Sequence, residues 1–410
     1  MLDPYKIRKD FPMFVNKVKM QKHDLIFLDS ASTTFKPQCV LDSVIEYYSK
    51  ETSNSHRGDY DLCYNADVKI DETRQLVADF INADKKECVF TSGTTASINL
   101  IAYGYAIKHL KKDDEILISL EEHASNTLPW FEVAKATGCK ISYIPLDKEG
   151  RITLENIKKL VNKKTKLIAI AMVSNVLGYL VDVKAITKFA HENNILVAID
   201  GAQSVPHMKV DVKDLDIDFL SFSAHKMCGP TGVGVLFAKK EILKKMSPVF
   251  VGGGNNVTFK PEHDVTYLEA PELFESGTLN LEGIFGFKSA IEYINKIGLD
   301  NIEEYEQNLR KYAIKRMSDV KDLTIYNPNA EAGIITFNMK GIFAQDLGTY
   351  LNSKGIAVRT GQHCAKMLPI FLGTPATVRV SIYFYNTKEE IDALVDALKK
   401  GGNFLDAYFA

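Results

Sequence analysis

No two of the six cysteines stand in a C-x-x-C pair. They are Cys39, Cys63, Cys88, Cys139, Cys228 and Cys364. Neither a zinc knuckle nor a redox pair is therefore signalled, and no metal is expected. In a reducing compartment, most of them should be small buried hydrophobes. A long hydrophobic run is also missing. The apolar stretch from Lys166 to Val173 is far too short to span a bilayer. The opening residues Met1 to Asp10 have no apolar signal core and carry acids unsuited to a transit peptide. Net charge is nearly absent, formally -2, so nothing argues for nucleic acid or an acidic membrane as partner. Internal repeats and low-complexity tracts are lacking. The expectation is a cytoplasmic protein.

What is there is ordinary globular material. Hydrophobic residues make up 46% and charged residues 25% of 410, enough for roughly two to three domains. Apolar runs predict strands at Leu25–Asp29, Glu87–Thr91, Glu115–Ser119, Lys140–Ile144, Lys166–Val173, Ile195–Asp200, Phe219–Ser223 and Gly232–Ala238. Helical patterns lie between them, at Asp67–Phe80, Thr94–Leu110, Leu128–Ala136, Leu154–Val161 and Ala185–Asn193. Such alternation implies an α/β fold with a mainly parallel sheet covered on both faces.

After Gly252 the rhythm changes. The stretch to Pro271, with the triple glycine Gly252-Gly253-Gly254, reads as a long loop. Helices are predicted at about Leu281–Ile297 and Ile302–Ser318. Shorter strands follow at Leu323–Tyr326, Gly333–Asn338, Ile356–Arg359 and Val378–Ile382, with helices Ala344–Ser353 and Lys388–Lys399. The division expected is a segment 1–22 packing with the small domain, a large domain 23–290, and a smaller C-terminal α/β domain 291–410.

Chemistry concentrates at strand ends, where ligands of such sheets bind. Asp200 and Lys226 follow neighbouring apolar runs. An amine for a Schiff base and a carboxylate for a pyridine nitrogen are what a pyridoxal phosphate enzyme needs. Thr91-Ser92-Gly93-Thr94-Thr95 closes a strand and opens a helix, a place where N–H groups bind phosphate; alone it would be a plain N-cap. His123 can stack on a flat cofactor. Asn175 and Gln203 could reach its phenolic oxygen, and Ser223 and His225 flank the lysine. Arg379 stands among β-branched residues and needs an anion, either a substrate carboxylate gripped by its planar fork or a structural partner. A charge-assisted bond of that kind is worth ~1.5–3 kcal/mol. Cys364 lies in the polar turn Arg359-Thr360-Gly361-Gln362-His363-Cys364. Arg359 and His363 are neighbours of the right sign to favour its thiolate. Cys228 reads as a packing residue.

Taken together, Ser174-Asn175-Val176-Leu177-Gly178, Asp200-Gly201-Ala202-Gln203, His225-Lys226, Gly229-Pro230-Thr231-Gly232 and Ala357-Val358-Arg359-Thr360-Gly361 resemble the group II cysteine desulfurases of the SufS type. These belong to the class V aminotransferase branch of fold-type I pyridoxal phosphate enzymes. The resemblance runs from Phe27-Leu28-Asp29-Ser30-Ala31-Ser32-Thr33 to Tyr385-Asn386-Thr387. It implies that Lys226 is the Schiff-base lysine and α-proton shuttle, Asp200 the partner of the pyridine nitrogen, and His123 the stacking residue. Thr94, Thr95, Ser223 and His225 would bind phosphate, with Thr278 joining from the other subunit of a homodimer. Asn175 and Gln203 would face the phenolic oxygen, and Arg379 would take the substrate carboxylate, with Arg359 lining the pocket. Cys364 would carry sulfur from L-cysteine as a persulfide, leaving alanine, for an acceptor protein of the SufE or SufU kind in iron–sulfur assembly. That acceptor is expected to stimulate turnover.

The chain departs from the family at Gln362, Met172, Ala224, Cys228 and Ala96, and at Asp59-Tyr60-Asp61-Leu62 after His56-Arg57-Gly58. None removes a first-rank chemical group, and several alter the pocket edge and the acceptor face. Alternatives carried beside the desulfurase are a selenocysteine lyase, another class V aminotransferase-type enzyme, and a silent scaffold that keeps the fold.

Overall fold

The computed structural model describes residues 2–55 and 58–401; His56 and Arg57 lie outside them. Seven strands form the main sheet: β1 Cys88–Thr91, β2 Glu115–Ser119, β3 Lys140–Ile144, β4 Thr165–Ala171, β5 Leu196–Asp200, β6 Phe219–Ser223 and β7 Gly234–Ala238. Their order is β1-β7-β6-β5-β4-β2-β3. Only β7 runs antiparallel to its neighbours, and the other pairs are parallel. Alternate side chains enter different cores. Ile168 and Ile170 of β4 join Val197, Ile199, Leu220 and Phe222 on one face. Leu167 and Ala169 join Ala198, Phe219 and Trp130 on the other. Burial on both faces explains why these strands read as unbroken apolar runs.

Four strands form the smaller sheet: β8 Leu323–Ile325, β9 Ile334–Met339, β10 Arg359–Gly361 and β11 Thr377–Ser381. Their order is β8-β9-β11-β10, all antiparallel. Ile335, Phe337, Val378 and Val380 pack there on Leu351 and Leu394 from helices Ala344–Ser353 and Lys388–Lys399. The latter helix begins with a capping box between Thr387 and Glu390, which satisfies two N–H groups at once. The long helix Leu281–Ile297 is capped by Asn280, whose Oδ1 accepts from Gly283 N at 3.0 Å.

Several sequence expectations change. Ile26–Phe27 does not join the main sheet; it pairs in parallel with Ile356–Ala357, and Asp29 bridges Ser381. The N-terminal chain is thereby laid along the small sheet. Phe11 packs edge-on to Tyr293 and Tyr385, with centroids 5.8 and 5.3 Å away, so this segment touches the long helix as well. The predicted strand 356–359 splits between two sheets. The helix predicted over 94–110 keeps α geometry to Ile101, is α again at Ile107–His109, and widens between them at Ala102–Ala106. There Gly104 O turns to Ser247 N, 3.0 Å away, and the missing side chain at Gly104 lets that backbone approach. The predicted long loop contains a short hairpin, Asn256–Phe259 with Val265–Tyr267. Among the described residues, no helix is long and apolar enough to cross a membrane.

Candidate active site

Strands β5 and β6 lie side by side, with Asp200 opposite Ser221. Asp200 therefore ends its strand beside the turn that carries Lys226, the single helical turn Ala224–Lys226. Both line one cavity, together with Thr94, Thr95, His123, Asn175, Gln203, Ser223, His225, Arg359 and Arg379. The Lys226 amine makes no hydrogen bond or ion pair among the described residues. Burial lowers its pKa to about 8; Asp200 pulls the other way, while Arg379 and Arg359 push it further down. Burial raises the Asp200 carboxyl above the usual range, against the opposing pull of Lys226 and of the Ala202 N–H, which donates at 2.9 Å. Two desolvated groups of opposite sign thus face one space, each lacking a full counter-charge.

The N-terminus of helix Thr94–Ile101 closes one end of the cavity. Its approach depends on two glycines. Gly93 has φ +145°, and a Cβ on Gly234 would sit 2.4 Å from the Gly93 Cα. This close contact brings β7 against the turn, as glycine alone permits. Ser223 Oγ accepts from Thr94 N at 2.8 Å and meets Thr94 Oγ1 at 2.7 Å. Thr95 Oγ1 lies 2.7 Å from Ser125 Oγ. His225 Nδ1 is 3.2 Å from Thr33 Oγ1, and burial, then Lys226 and Lys36, lowers its pKa to about 4.

His123 starts the turn Ala124–Asn126, and its Nδ1 accepts from Ser125 N at 3.1 Å. Burial, followed by Lys226, Arg359 and Arg379, lowers it to about 4, so the ring is neutral at pH 7. Asn175 Nδ2 donates to His363 O at 2.8 Å. Gln203 Nε2 donates to Ala31 O at 2.8 Å, and its buried Oε1 has no partner among the described residues.

Arg379 is completely buried. Both alternatives read from the sequence meet here: it lines the cavity and also holds a structural anion. Nη2 donates to Asp29 Oδ1 at 2.7 Å and to Ser32 Oγ at 3.0 Å, and Nη1 donates to Asn175 O at 2.9 Å. Arg359 Nη1 reaches the same Ser32 Oγ at 3.3 Å, and its Nη2 reaches Cys364 Sγ at 3.1 Å. Cys364 does not line the cavity itself. Its carbonyl accepts from Ala124 N at 2.7 Å, which ties the loop down beside His123.

One expectation is corrected. His363 is no cation for Cys364: it is buried, Nε2 pairs with Thr377 Oγ1 at 2.8 Å, and burial with Arg379 and Arg359 lowers it to about 3. Arg359 is the cation that meets the sulfur directly, and Lys226 and Arg379 act on it through space. Thr278, expected to act from the other subunit of a homodimer, does not line its own chain's cavity; it is exposed and lines an adjoining, more apolar depression that shares Thr95, with Phe90, Tyr103 and Phe250.

Sequence reasoning assigned no role to Asp29, Ser32 or Ser125. The first two stood in a quoted string, but only the pairing of residues 26–29 with the small sheet brings them to the arginines. It also passed over Glu121 and Glu122. Both are buried; Glu122 accepts from Ser119 Oγ at 2.6 Å and Asn126 Nδ2 at 2.7 Å, while among the described residues neither oxygen of Glu121 makes a well-formed hydrogen bond and the Ser174 hydroxyl offsets its burial only in part. Burial raises Glu121 to about 8 and Glu122 to about 7. Cys228 is fully buried, and burial pushes its thiol up to about 12, in keeping with packing.

A mainly parallel sheet with a lysine and an acid at adjoining strand ends defines a fold-type I pyridoxal phosphate enzyme. The residues present fit that cofactor: an unpartnered amine at Lys226, a desolvated carboxylate at Asp200, and a helix N-terminus with hydroxyls from Thr94, Thr95 and Ser223. The model of the aminotransferase class-V family matches residues 26–394, and the chain belongs to that family. It is 44% identical over 409 residues to a probable cysteine desulfurase of Halalkalibacterium halodurans, covering 100% of both chains. It is 42% identical to a probable cysteine desulfurase of Staphylococcus aureus, covering 99% of this chain and 98% of that one. Among solved structures it is similar to the cysteine desulfurase CsdA of Escherichia coli, with TM-score 0.91, 34% identity and 99% of each chain covered. It is also similar to the cysteine desulfurase of Thermococcus onnurineus, with TM-score 0.92, 36% identity and 98% of each chain covered.

Proposed function

We propose that the chain is a cysteine desulfurase that converts L-cysteine to L-alanine and carries the sulfur as a persulfide on Cys364. The observation that carries this reading is the convergence of Lys226, Asp200, His123 and Arg379 on one cavity, with Cys364 Sγ held 3.1 Å from Arg359 at its edge. Full-length identity to probable cysteine desulfurases supports it.

Pyridoxal phosphate, when bound, supplies an electron sink for the substrate's α-carbon. In this reading Asp200 would hold the pyridine nitrogen protonated. The hydroxyls of Thr94, Thr95 and Ser223, with His225, would hold the phosphate. Asn175 and Gln203 would serve the phenolic oxygen, and His123 would stack on the ring. Arg379 and Arg359 bind and orient the substrate carboxylate. Lys226, with its lowered pKa of about 8, takes and returns the α-proton near neutral pH. The Cys364 thiolate attacks the substrate sulfur. A new S–S bond forms, the substrate's C–S bond breaks, and its electron pair stays on carbon, which gains a proton and ends as alanine.

The finer reading is a SufS-type enzyme in the cytoplasm, passing sulfur to an acceptor of the SufE or SufU kind for iron–sulfur assembly. Thr278 belongs to it as a residue of one subunit reaching the phosphate of its homodimer partner. Its exposed position beside Phe250 and Tyr103 supports that placement. The division into 1–22, 23–290 and 291–410 is part of the same reading. The test is Cys364→Ala: the cofactor's absorbance should remain while the persulfide, read by mass spectrometry after incubation with L-cysteine, disappears. Sustained desulfuration by that variant would refute the role of Cys364.

A further inference from the structure

Arginine grips a carboxylate best through two nitrogens on one edge of its planar head. A guanidinium offers two such edges, Nη1 with Nη2 and Nε with Nη2, and both include Nη2. In Arg379 that nitrogen already donates to Asp29 Oδ1 at 2.7 Å and to Ser32 Oγ at 3.0 Å. Nε is buried and, among the described residues, has no partner. Ser32 Oγ in turn donates to the same Asp29 Oδ1 at 2.8 Å. Arg379 is 0% exposed whereas the Asp29 side chain is 22% exposed, so the carboxylate is the more accessible member of the pair.

We propose that Asp29 is an internal stand-in for the substrate carboxylate, holding the Arg379 fork until an amino acid competes for Nη2, and so sets the affinity for carboxylate-bearing ligands. The inference rests on the reading of Arg379 as the substrate's carboxylate site. Asp29 is a positioning residue in this scheme and takes no part in bond making. It keeps a buried cation paired in the free enzyme, where an uncompensated charge would be costly. The exchange also involves Ser32, which Arg359 touches at 3.3 Å while holding Cys364. Substrate binding at Arg379 is thereby linked to the arginine beside the sulfur.

The experiment compares wild type, Asp29→Asn, Ser32→Ala and Arg379→Lys as holoenzymes. Three quantities are read: the spectral dissociation constant of L-alanine, the KM for L-cysteine, and the spectral binding of ethylamine, an amine without a carboxylate. With the competing charge gone, Asp29→Asn should bind L-alanine about tenfold more tightly, the equivalent of ~1.4 kcal/mol, and the KM for L-cysteine should fall similarly. Ethylamine binding should not move. Melting without ligand should occur at lower temperature in Asp29→Asn, and L-alanine should raise that temperature more than it does in wild type. Ser32→Ala, which keeps the aspartate, should shift L-alanine affinity in the same direction but less, and serves alone if Asp29→Asn does not fold. Unchanged or weakened L-alanine binding in Asp29→Asn, or an equal shift for ethylamine, overturns the proposal. Arg379→Lys separates that failure from failure of the underlying reading, because if Arg379 does not bind the carboxylate, this variant leaves L-alanine affinity where it was.

Discussion

Arg359 donates from Nη2 to the Cys364 sulfur across 3.1 Å while its Nη1 reaches Ser32 Oγ. The two residues stand five apart on either side of a turn in which His363 and Cys364 both take positive φ, 53° and 61°. That turn points the thiol back at its own strand. A guanidinium at this distance stabilises the negative charge that sulfur carries when it attacks. Arg359→Met should therefore slow persulfide formation by about tenfold or more, the worth of one charge-assisted hydrogen bond. Single-turnover trapping of the persulfide measures it, and Arg359→Lys should recover part of the loss.

Lys226 has an ordinary amine pKa of 10.5 lowered to about 8, by burial first. Only the neutral amine can attack an aldehyde. Attachment of pyridoxal phosphate to the apoprotein should thus speed up by about tenfold per pH unit below 8 and level off above it. Stopped-flow absorbance reads this directly. A plateau that begins only near pH 10 would show an undesolvated lysine.

Glu121 has its carboxyl raised from 4.5 to about 8 by burial. A raised acid binds more protons in the folded state than in the unfolded one. Its stabilising contribution is full below pH 4.5 and is lost as pH climbs through 8. Stability should fall by on the order of 2 kcal/mol between pH 6 and 8 from this group. Glu121→Gln, which keeps the shape without the charge, should remove that slope in urea unfolding at the two pH values.

Gly234 leaves no room for a side chain, since an added Cβ would lie 2.4 Å from the Gly93 Cα and 2.7 Å from Phe222 O. Both obstacles are backbone. Gly234→Ala should cost about 1–3 kcal/mol, the usual range for overpacking. It should also weaken pyridoxal phosphate binding more than it changes KM, because Gly93 immediately precedes Thr94. Cofactor titration with thermal melting separates the two effects.

The part of the candidate site built on Asp200 and Lys226 was legible because both follow apolar runs. Asp200 closes β5 and Lys226 follows β6, and in a parallel sheet the ends of adjoining strands share one edge. Cys364 was legible through its string, but its electrostatic neighbours were only half so. Adjacency in sequence suggested both Arg359 and His363, yet the turn sends the histidine inward to Thr377. The hairpin at 256–267 escaped notice because its strands alternate weakly and are largely exposed.

Local pattern, in the form of unbroken apolar runs, glycine-marked turns and polar strings just beyond them, was enough to establish a parallel α/β sheet and the edge where its chemistry gathers. Tertiary structure alone decided that Asp29 would meet Arg379, that Glu121 would be buried with its carboxyl pushed up, and that His363 would turn inward to Thr377. Those outcomes depend on contacts between separate segments of the chain and on which charges lose their water. Neither quantity is written in the neighbourhood of any one residue.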